Sequence, residues 1–474
     1  MEDILEAALD HALSLGAEYA EARYQRDRSW EYILKNGTPE VSSRTLRAGV
    51  SIRVTVKGHM AFVAANDDDP IDLAERAVRL AELSQRIPAT VSRDDSAVSR
   101  AKDIVTAQIP ITDLDREEVD SMLSEAEAAA SDAVLRTDTK LVGSFMALSF
   151  METEKVILNS DGGLLISSVP RAAFNAFLTV VNPNKGAIQR HISRGATAGW
   201  EAVLGWDVPT VLASEVETLG KILTEARSFK GATTDIVLGP EIIGLVAHES
   251  AGHPSEADRL LGREAAQAGE TFRSEKGVPE RIGKEILNVI DDPTLNGSFG
   301  YYRYDDECVR ARPRNLICKG IFDELLHDRS SAAAMGLRSN GSSRARFFCH
   351  EPIIRMSNTF VSPGDHSFEE LIEDIKDGIY MRNFMEWNID DRRYNQRYVG
   401  LECYKIRNGE LEDMISSPTL EMSTPALWSA IDALGSDLQF SSALCGKGDP
   451  MQGVPVWTGG PHVRLRSVPM GGKV

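Results

Sequence analysis

Two histidines and a glutamate stand close together in the stretch His248-Glu249-Ser250-Ala251-Gly252-His253. Imidazole nitrogens bind divalent metals, and a carboxylate beside them is the group type that takes a proton from a metal-activated water. A hydrolytic metal site is the chemistry these residues suggest. Their spacing sets a problem, because histidines four apart share one helix face and these are five apart. At about 100° per residue, the fifth position lies roughly 140° around a regular helix. Gly252 relaxes the backbone and Pro254 disfavours helical geometry at His253. The helix is therefore expected to end or bulge at Gly252 and return His253 toward the metal. A catalytic zinc keeps three protein ligands, so one more is needed. Glu256 is the nearest candidate, His462 and Cys445 are distant ones, and residue type favours Glu256 or a cysteine.

The elements that must position this motif read as an α+β chain. An amphipathic helix over residues 2–15 carries Ile4, Leu5, Ala8, Leu9 and Ala12 on one face and stops at Gly16. The period then changes to two, giving an antiparallel meander from Tyr24 with turns at Asn36-Gly37 and Gly58. A second helix follows over about 70–85. The apolar pattern fades from Gln85 to Ile111, marking a connector. Thr112 and Asp115 resemble a capping box for a helix with Val119, Met122, Leu123, Ala126 and Ala130 on its buried side. Strands are expected at Leu141–Phe150, Lys155–Asn159, Leu164–Ser168 and Ala172–Val181, then a helix from Pro209 to about Ser228. Asp235–Leu238 reads as a strand, and Pro240 suits the first turn of the motif helix. Ile242 and Val246 share a face with Glu249.

Beyond Asp258 a polar stretch to about Pro279 reads as an active-site loop. The remainder is dense in short strands: Glu285–Ile290, Leu316–Leu325, Arg344–Phe348 and Gly400–Arg407. Helices are expected at a Ser367/Glu370 capping box and between Pro425 and Gly435. Three domains follow: an N-terminal α+β domain (1–110), a middle α+β segment (111–232), and a larger mixed C-terminal domain (233–474) with a strand-rich, pseudo-barrel-like part.

Composition narrows the function classes. A hydrophobic content of 42% with 26% charged residues is that of a globular protein. The net charge of -19 argues against a nucleic-acid surface, which needs clustered Lys and Arg. No apolar run approaches the roughly 18 residues of a membrane span, and no signal-peptide pattern opens the chain. Cys308, Cys318, Cys349, Cys403 and Cys445 are an odd set without a C-x-x-C pair, which reads as reduced thiols and a cytoplasmic location.

Several ordered blocks add a resemblance. His248-Glu249-Ser250-Ala251-Gly252-His253-Pro254-Ser255-Glu256-Ala257-Asp258 resembles the H-E-x-x-G-H-x-x-E-x-D signature of the TldD/PmbA metallopeptidases. Asp291-Asp292-Pro293, Gly297-Ser298 and Asp305-Asp306-Glu307 are similar to that family's acidic stretch. Arg355-Met356-Ser357-Asn358-Thr359 with Pro363-Gly364 resembles its M-x-N-T block, and Leu444-Cys445-Gly446-Lys447 its terminal C-G-K block. The resemblance covers essentially the whole chain.

It implies zinc (Zn2+) held by His248, His253 and Cys445, with Glu249 activating the zinc-bound water as general base. Glu256 and Asp258 would then stand behind the ligands rather than on the metal, Glu256 orienting a histidine. The implied substrate is an unstructured peptide or protein, bound largely through backbone pairing. The implied assembly is a dimer, either with a second copy or with a paralogous subunit that lacks the motif. The segment Met385–Arg393 departs from the family's Gly- and Ser-rich run. His350 and Arg355 are candidates for stabilising an oxyanion. Two other readings stay open: a non-catalytic regulatory protein of the gyrase-modulator type, and a metal-dependent amidohydrolase acting on another substrate class.

Overall fold

The computed structural model describes residues 1–84, 99–264, 269–273 and 280–472. Its N-terminal part is organised on long antiparallel strands: β1 (Tyr19–Lys35), β2 (Thr38–Val56) and β3 (His59–Ala65), joined by turns at Asn36-Gly37 and Lys57-Gly58. The expected helices flank this meander as α1 (Glu2–Ser14) and α2 (Pro70–Leu83), the latter capped by Asp69. Leu5, Ala8, Leu9 and Ala12 meet Leu73, Ala77 and Ala81 over Ala20, Ala22, Ile52 and Val54. Small residues at helical spacing let the two helices lie close to the sheet and to each other.

The fading pattern after Gln85 conceals a strand, β4 (Arg100–Ile104); residues 85–98 of that connector lie outside the described residues. Helix α3 (Arg116–Ala133) is capped by Asp115, whose side chain accepts from the Glu117 amide. Thr112 sits in a separate 3-10 turn, so the expected Thr112/Asp115 capping box does not form. The strands expected as separate pieces are two continuous ones, β5 (Lys140–Asn159) and β6 (Leu164–Asn182). A further strand, β7 (Gly186–Ala196), was not anticipated; its polar and small residues carry little hydrophobic alternation. Pro170 sits inside β6 opposite Glu152 of β5.

Among the described residues these form one sheet in the order β3-β2-β1-β5-β6-β4, with β7 paired to the second half of β6. The sheet is continuous from the N-terminal meander through the middle segment. A short helix α4 (Trp200–Gly205) precedes α5 (Val208–Glu225), which packs with α3 against Trp30, Phe150, Phe174 and Leu178.

Period-two alternation also explains the sheet's other face. Glu21, Arg23, Gln25 and Asp27 point opposite to Ala20 and Ala22, and all four are buried. They meet the acidic stretch of the C-terminal part: Arg53 bridges Glu21 and Glu307, while Arg23 and Lys155 pair with Asp306. Glu21, Arg23, Arg53, Lys155, Asp306 and Glu307 are tolerated here because each has a partner of opposite sign, while Asp27 accepts from Gln25 and Thr153. This acidic stretch therefore joins the domains and is not part of the motif site.

Beyond α5 the described residues build two large sheets and a two-stranded one, Ser343–Arg344 with Ile353–Ile354. One, of ten strands, wraps as a half-barrel around the core that holds Ile242, Val246 and Ala247. The other, of six strands, ends in the antiparallel pair Gln439–Lys447 and Gln452–Gly460. The mixed α+β class and strand-rich C-terminal part match the expectation. Local spans shift: the strand expected at Glu285–Ile290 is Val289–Asp291, and Arg344–Phe348 reduces to Ser343–Arg344. Leu316–Leu325 divides into Arg314–Cys318 and Ile321–Phe322, and the last helix is only Thr424–Ala430. Ser367 and Glu370 form the expected capping box. The polar stretch after Asp258 starts inside the short helix Ala257–Leu260, and 265–268 and 274–279 lie outside the described residues. No described helix is long and apolar enough to cross a membrane.

Candidate metal centre

The motif helix α6 (Pro240–Ala247) starts with Pro240 in its first turn, where a missing N–H costs nothing. Gly244 is required there, since a Cβ would stand 2.7 Å from the Gly459 amide nitrogen of the adjacent strand. At His248 the helix widens instead of ending: residues His248–Gly252 form a π-turn, closed by the His253 N–H donating to the His248 carbonyl. A turn that closes between residues five apart brings residues five apart into line. The five-residue spacing that fails on an α-helix is thus resolved by a wider turn that begins at the first histidine, with Gly252 as its last residue. His253–Ser255 then tighten into a 3-10 turn around Pro254. The π-turn is held by Ser250, which donates to Gln396 and accepts at its carbonyl from the Trp428 indole.

The two imidazole rings lie edge to face, with centroids 5.0 Å apart. Cys445, from the strand Gln439–Lys447, completes the group: ligand atoms of His248, His253 and Cys445 all lie within 4.8 Å of one another, and all three residues are buried. Cys445 Sγ is 3.7 Å from His253 Nε2. Donors bound tetrahedrally to one zinc lie about 3.5 Å apart, so this pair already stands near metal-sharing distance. His248 Nδ1 is buried without a hydrogen-bond partner among the described residues. Burial pushes the Cys445 thiol up, but His248, Arg355 and His253 pull harder and hold it well below the ordinary thiol value. Burial likewise opposes charge on His248, and the facing Cys445 raises its pKa. A thiolate and two imidazoles are a donor set suited to zinc.

Behind the ligands lies a packed ionic group. His253 Nδ1 is 2.9 Å from Glu256 Oε2, which also accepts from Arg259 Nε at 2.6 Å. Lys447 Nζ reaches Glu256 at 3.2 Å and both oxygens of Asp258, at 2.9 and 2.7 Å. Burial pushes Asp258 up to about 6 against the pull of Lys447. Glu256 thus contacts the His253 ring directly, Asp258 is connected to it only through Lys447, and Lys447 links the two carboxylates.

Of the remaining candidates, His462 is engaged by Asp437 and Tyr380, away from this cluster. His350 packs on Phe347, and its carbonyl accepts from Arg23. Arg355 donates to the carbonyls of Cys445 and Gln452, so it fixes the thiol-bearing strand and faces no substrate. Neither oxyanion candidate lines the cleft: the Arg355 guanidinium is spent on backbone carbonyls, and the His350 ring is turned against Phe347. The residue missed is Arg393, whose Nη1 lies 2.8 Å from Glu249 Oε2. It belongs to the segment that departs from the family's pattern, where no motif pointed to it.

His248, Glu249, His253 and Cys445 open onto a cleft of about 770 Å³. One wall is β6 and β7, the other the strand Gln439–Lys447 with Phe384 and Trp387. Arg190 of β7 grips Glu241 of α6 through two hydrogen bonds of 2.8 and 2.7 Å, which ties the motif helix to the opposite wall. Ser193 and Ser442 hydroxyls meet at 2.9 Å where the two walls approach.

Comparison with known proteins identifies the family. Residues 20–81, 109–223 and 231–472 match the first, central and C-terminal domains of the PmbA/TldA metallopeptidases. A protein of Methanothermobacter thermautotrophicus named metalloprotease is 33% identical, over 96% of both chains. A zinc metalloprotease TldD homolog of Saccharolobus solfataricus is 33% identical over 52% of this chain and 53% of that one. Among solved structures, TldE from Thermococcus kodakarensis has a TM-score of 0.72 at 17% identity, covering 99% of this chain and 100% of that one. A candidate modulator of DNA gyrase from Bacteroides thetaiotaomicron has a TM-score of 0.77 at 16% identity, covering 100% and 99%. These structural likenesses establish the shared fold. With all three family domains matched in order and a full-length relative at this identity, the chain belongs to the PmbA/TldA metallopeptidase family.

Proposed function

We propose that this protein is a zinc-dependent hydrolase that cleaves peptide bonds in unstructured peptides or proteins. The observation that carries the reading is the convergence of His248, His253 and Cys445 beside Glu249 on the wall of an open cleft. His248, His253 and Cys445 would hold the ion, which would supply Lewis acidity and bring the pKa of a bound water to roughly 7. Glu249 accepts a proton from the attacking water and returns it to the leaving amine nitrogen as the C–N bond breaks. Arg393 holds the Glu249 carboxylate at the cleft wall, and Glu256 fixes the orientation of His253. An extended substrate lies along the cleft between β7 and the strand that carries Cys445, pairing through its backbone. A cytoplasmic dimer, with a second copy or a paralogous subunit, is part of the same proposal.

Metal content and cleavage of an unstructured protein, measured for the parent, Glu249→Gln and Cys445→Ser, test it. The expected result is a metal-replete but inactive Glu249→Gln and a metal-poor Cys445→Ser. Undiminished cleavage by Glu249→Gln removes the role given to Glu249, and full metal retention removes Cys445 from the ligand set. A parent protein that holds no metal and cleaves nothing favours the non-catalytic binding role. Cleavage of small amides without cleavage of peptides favours an amidohydrolase.

A further inference from the structure

The cleft is cationic in a protein of net charge -19. Beyond the histidines and Cys445 it is bordered by Arg171 of β6 and by Arg346, with Arg344 directly behind them. Most large buried arginines of this chain face a carboxylate: Arg23 has Asp306, Arg53 has Glu21 and Glu307, Arg314 has Asp291. These three do not. Arg171 donates to the carbonyls of Phe299 and Tyr301 at 3.1 and 2.9 Å. Arg344 donates to those of Met356 and Pro455 at 2.7 and 3.1 Å. Arg346 meets the Met151 sulfur at 2.8 Å and lies over the Phe347 ring.

No carboxylate among the described residues lies within 4.0 Å of any of the three guanidinium groups. Asp306 and Asp27 are the acids whose field reaches Arg171, and each is bonded elsewhere, to Lys155 and to Thr153. Burial, with Arg344 and Arg346 adding repulsion, holds Arg171 down to about 9, which still leaves it charged at neutral pH. Cations crowded together away from water are relieved by an anion. Carbonyl contacts account for Arg344, which is closed over; Arg171 and Arg346 keep a side open to the cleft.

We propose that Arg171 and Arg346 form a carboxylate-binding subsite of the cleft, which selects peptides carrying an acidic side chain or a free C-terminal carboxylate close to the bond to be cut. Arg171 and Arg346 line the same cleft as His248, His253 and Cys445. Arg344 grips the carbonyl of Pro455, which pairs across the sheet with Leu444, the neighbour of Cys445. Guanidinium presents paired donors to carboxylate, which makes this ligand chemistry specific.

The inference rests on the peptidase reading, and binding separates the two. Four labelled peptides, with Glu or Gln at one position and a free or amidated C-terminus, are titrated into the Glu249→Gln protein by fluorescence anisotropy. Carboxylate-bearing peptides are expected to bind about tenfold tighter than the uncharged one, less so at high salt. Which carboxylate carries the gain identifies its source. Arg346→Met and Arg171→Met are expected to erase the preference, bringing the carboxylate-bearing peptides to the affinity of the uncharged one measured on the same variant. Equal binding of all four peptides, or a preference that survives both variants, overturns the subsite. Should the variants fail to fold, the peptide series and its salt dependence on the Glu249→Gln protein decide alone. Preferential binding without cleavage by the Glu249-bearing protein removes the peptidase reading and keeps the subsite; cleavage indifferent to charge does the reverse.

Discussion

Glu256 Oε2 lies 2.9 Å from His253 Nδ1, on the opposite side of the ring from Cys445. A carboxylate on one imidazole nitrogen fixes the tautomer and leaves the other nitrogen free to bind a metal. Burial opposes the charge on Glu256, yet Lys447, His253 and Arg259 together hold its carboxyl well below the usual range. It is therefore an anion wherever the protein is folded near neutral pH. Glu256→Gln is expected to weaken zinc affinity by about 10- to 100-fold, measured by competition with a chromogenic chelator. Unchanged affinity would show that the ring is oriented by its neighbours alone.

The π-turn depends on the absence of a side chain at Gly252. A Cβ built there would stand 1.9 Å from the Met356 sulfur, and Met356 is fully buried. Gly252→Ala is expected to lower stability by about 1–3 kcal/mol, as overpacking does, and to reduce metal content because His253 shifts. Met356→Ala in the same chain is expected to recover part of the loss, giving a non-additive cycle in thermal melting. Strict additivity would place the cost somewhere other than this contact.

The legible part of this molecule was its local chemistry. Helix α1, the meander turns, Pro240 at the start of the motif helix and the Ser367/Glu370 cap all follow from residue type and spacing. The irregular spacing of His248 and His253 announced a helix defect, but a glycine and a proline mark where regular geometry fails and do not say which geometry replaces it. That choice is made by packing of Ser250 against Gln396 and Trp428. Residue typing left Cys445 as one of three candidates for the third ligand, since its approach to His253 exists only after two sheets have assembled. Strand β7 was hidden because Arg190, Ser193 and Arg194 serve the cleft and the α6 contact, and so break the apolar alternation.

Arg393 supplies a prediction that no motif contained. Its guanidinium pairs with Glu249 at 2.8 Å, and both side chains are largely shielded from solvent. Removing it leaves the carboxylate free to turn from the cleft. Arg393→Ala is expected to reduce kcat by about 10- to 100-fold, the scale of a displaced proton-transfer group, with metal content unchanged. Arg393→Lys is expected to restore part of the rate. A variant that changes only KM would move Arg393 from positioning Glu249 to binding substrate.

The last prediction concerns stability and pH through a group remote from the thiol. His327 is 3% exposed, its Nδ1 3.1 Å from the Ser331 hydroxyl and its Nε2 buried without a partner among the described residues. Burial pulls its pKa down to about 4, against about 6.5 in an unfolded chain. Between those values the unfolded chain binds the proton and the folded one does not, so stability rises with pH across that window. The contribution is complete above about pH 6.5 and is lost progressively as pH falls toward 4. At pH 5 the loss amounts to about 2 kcal/mol relative to neutral pH. His327→Gln removes the titrating group, so the variant should lose less melting temperature than the parent between pH 7.5 and pH 5. Parallel melting curves across that range would mean that the imidazole protonates in the folded protein at no cost, and that its burial is relieved by local opening.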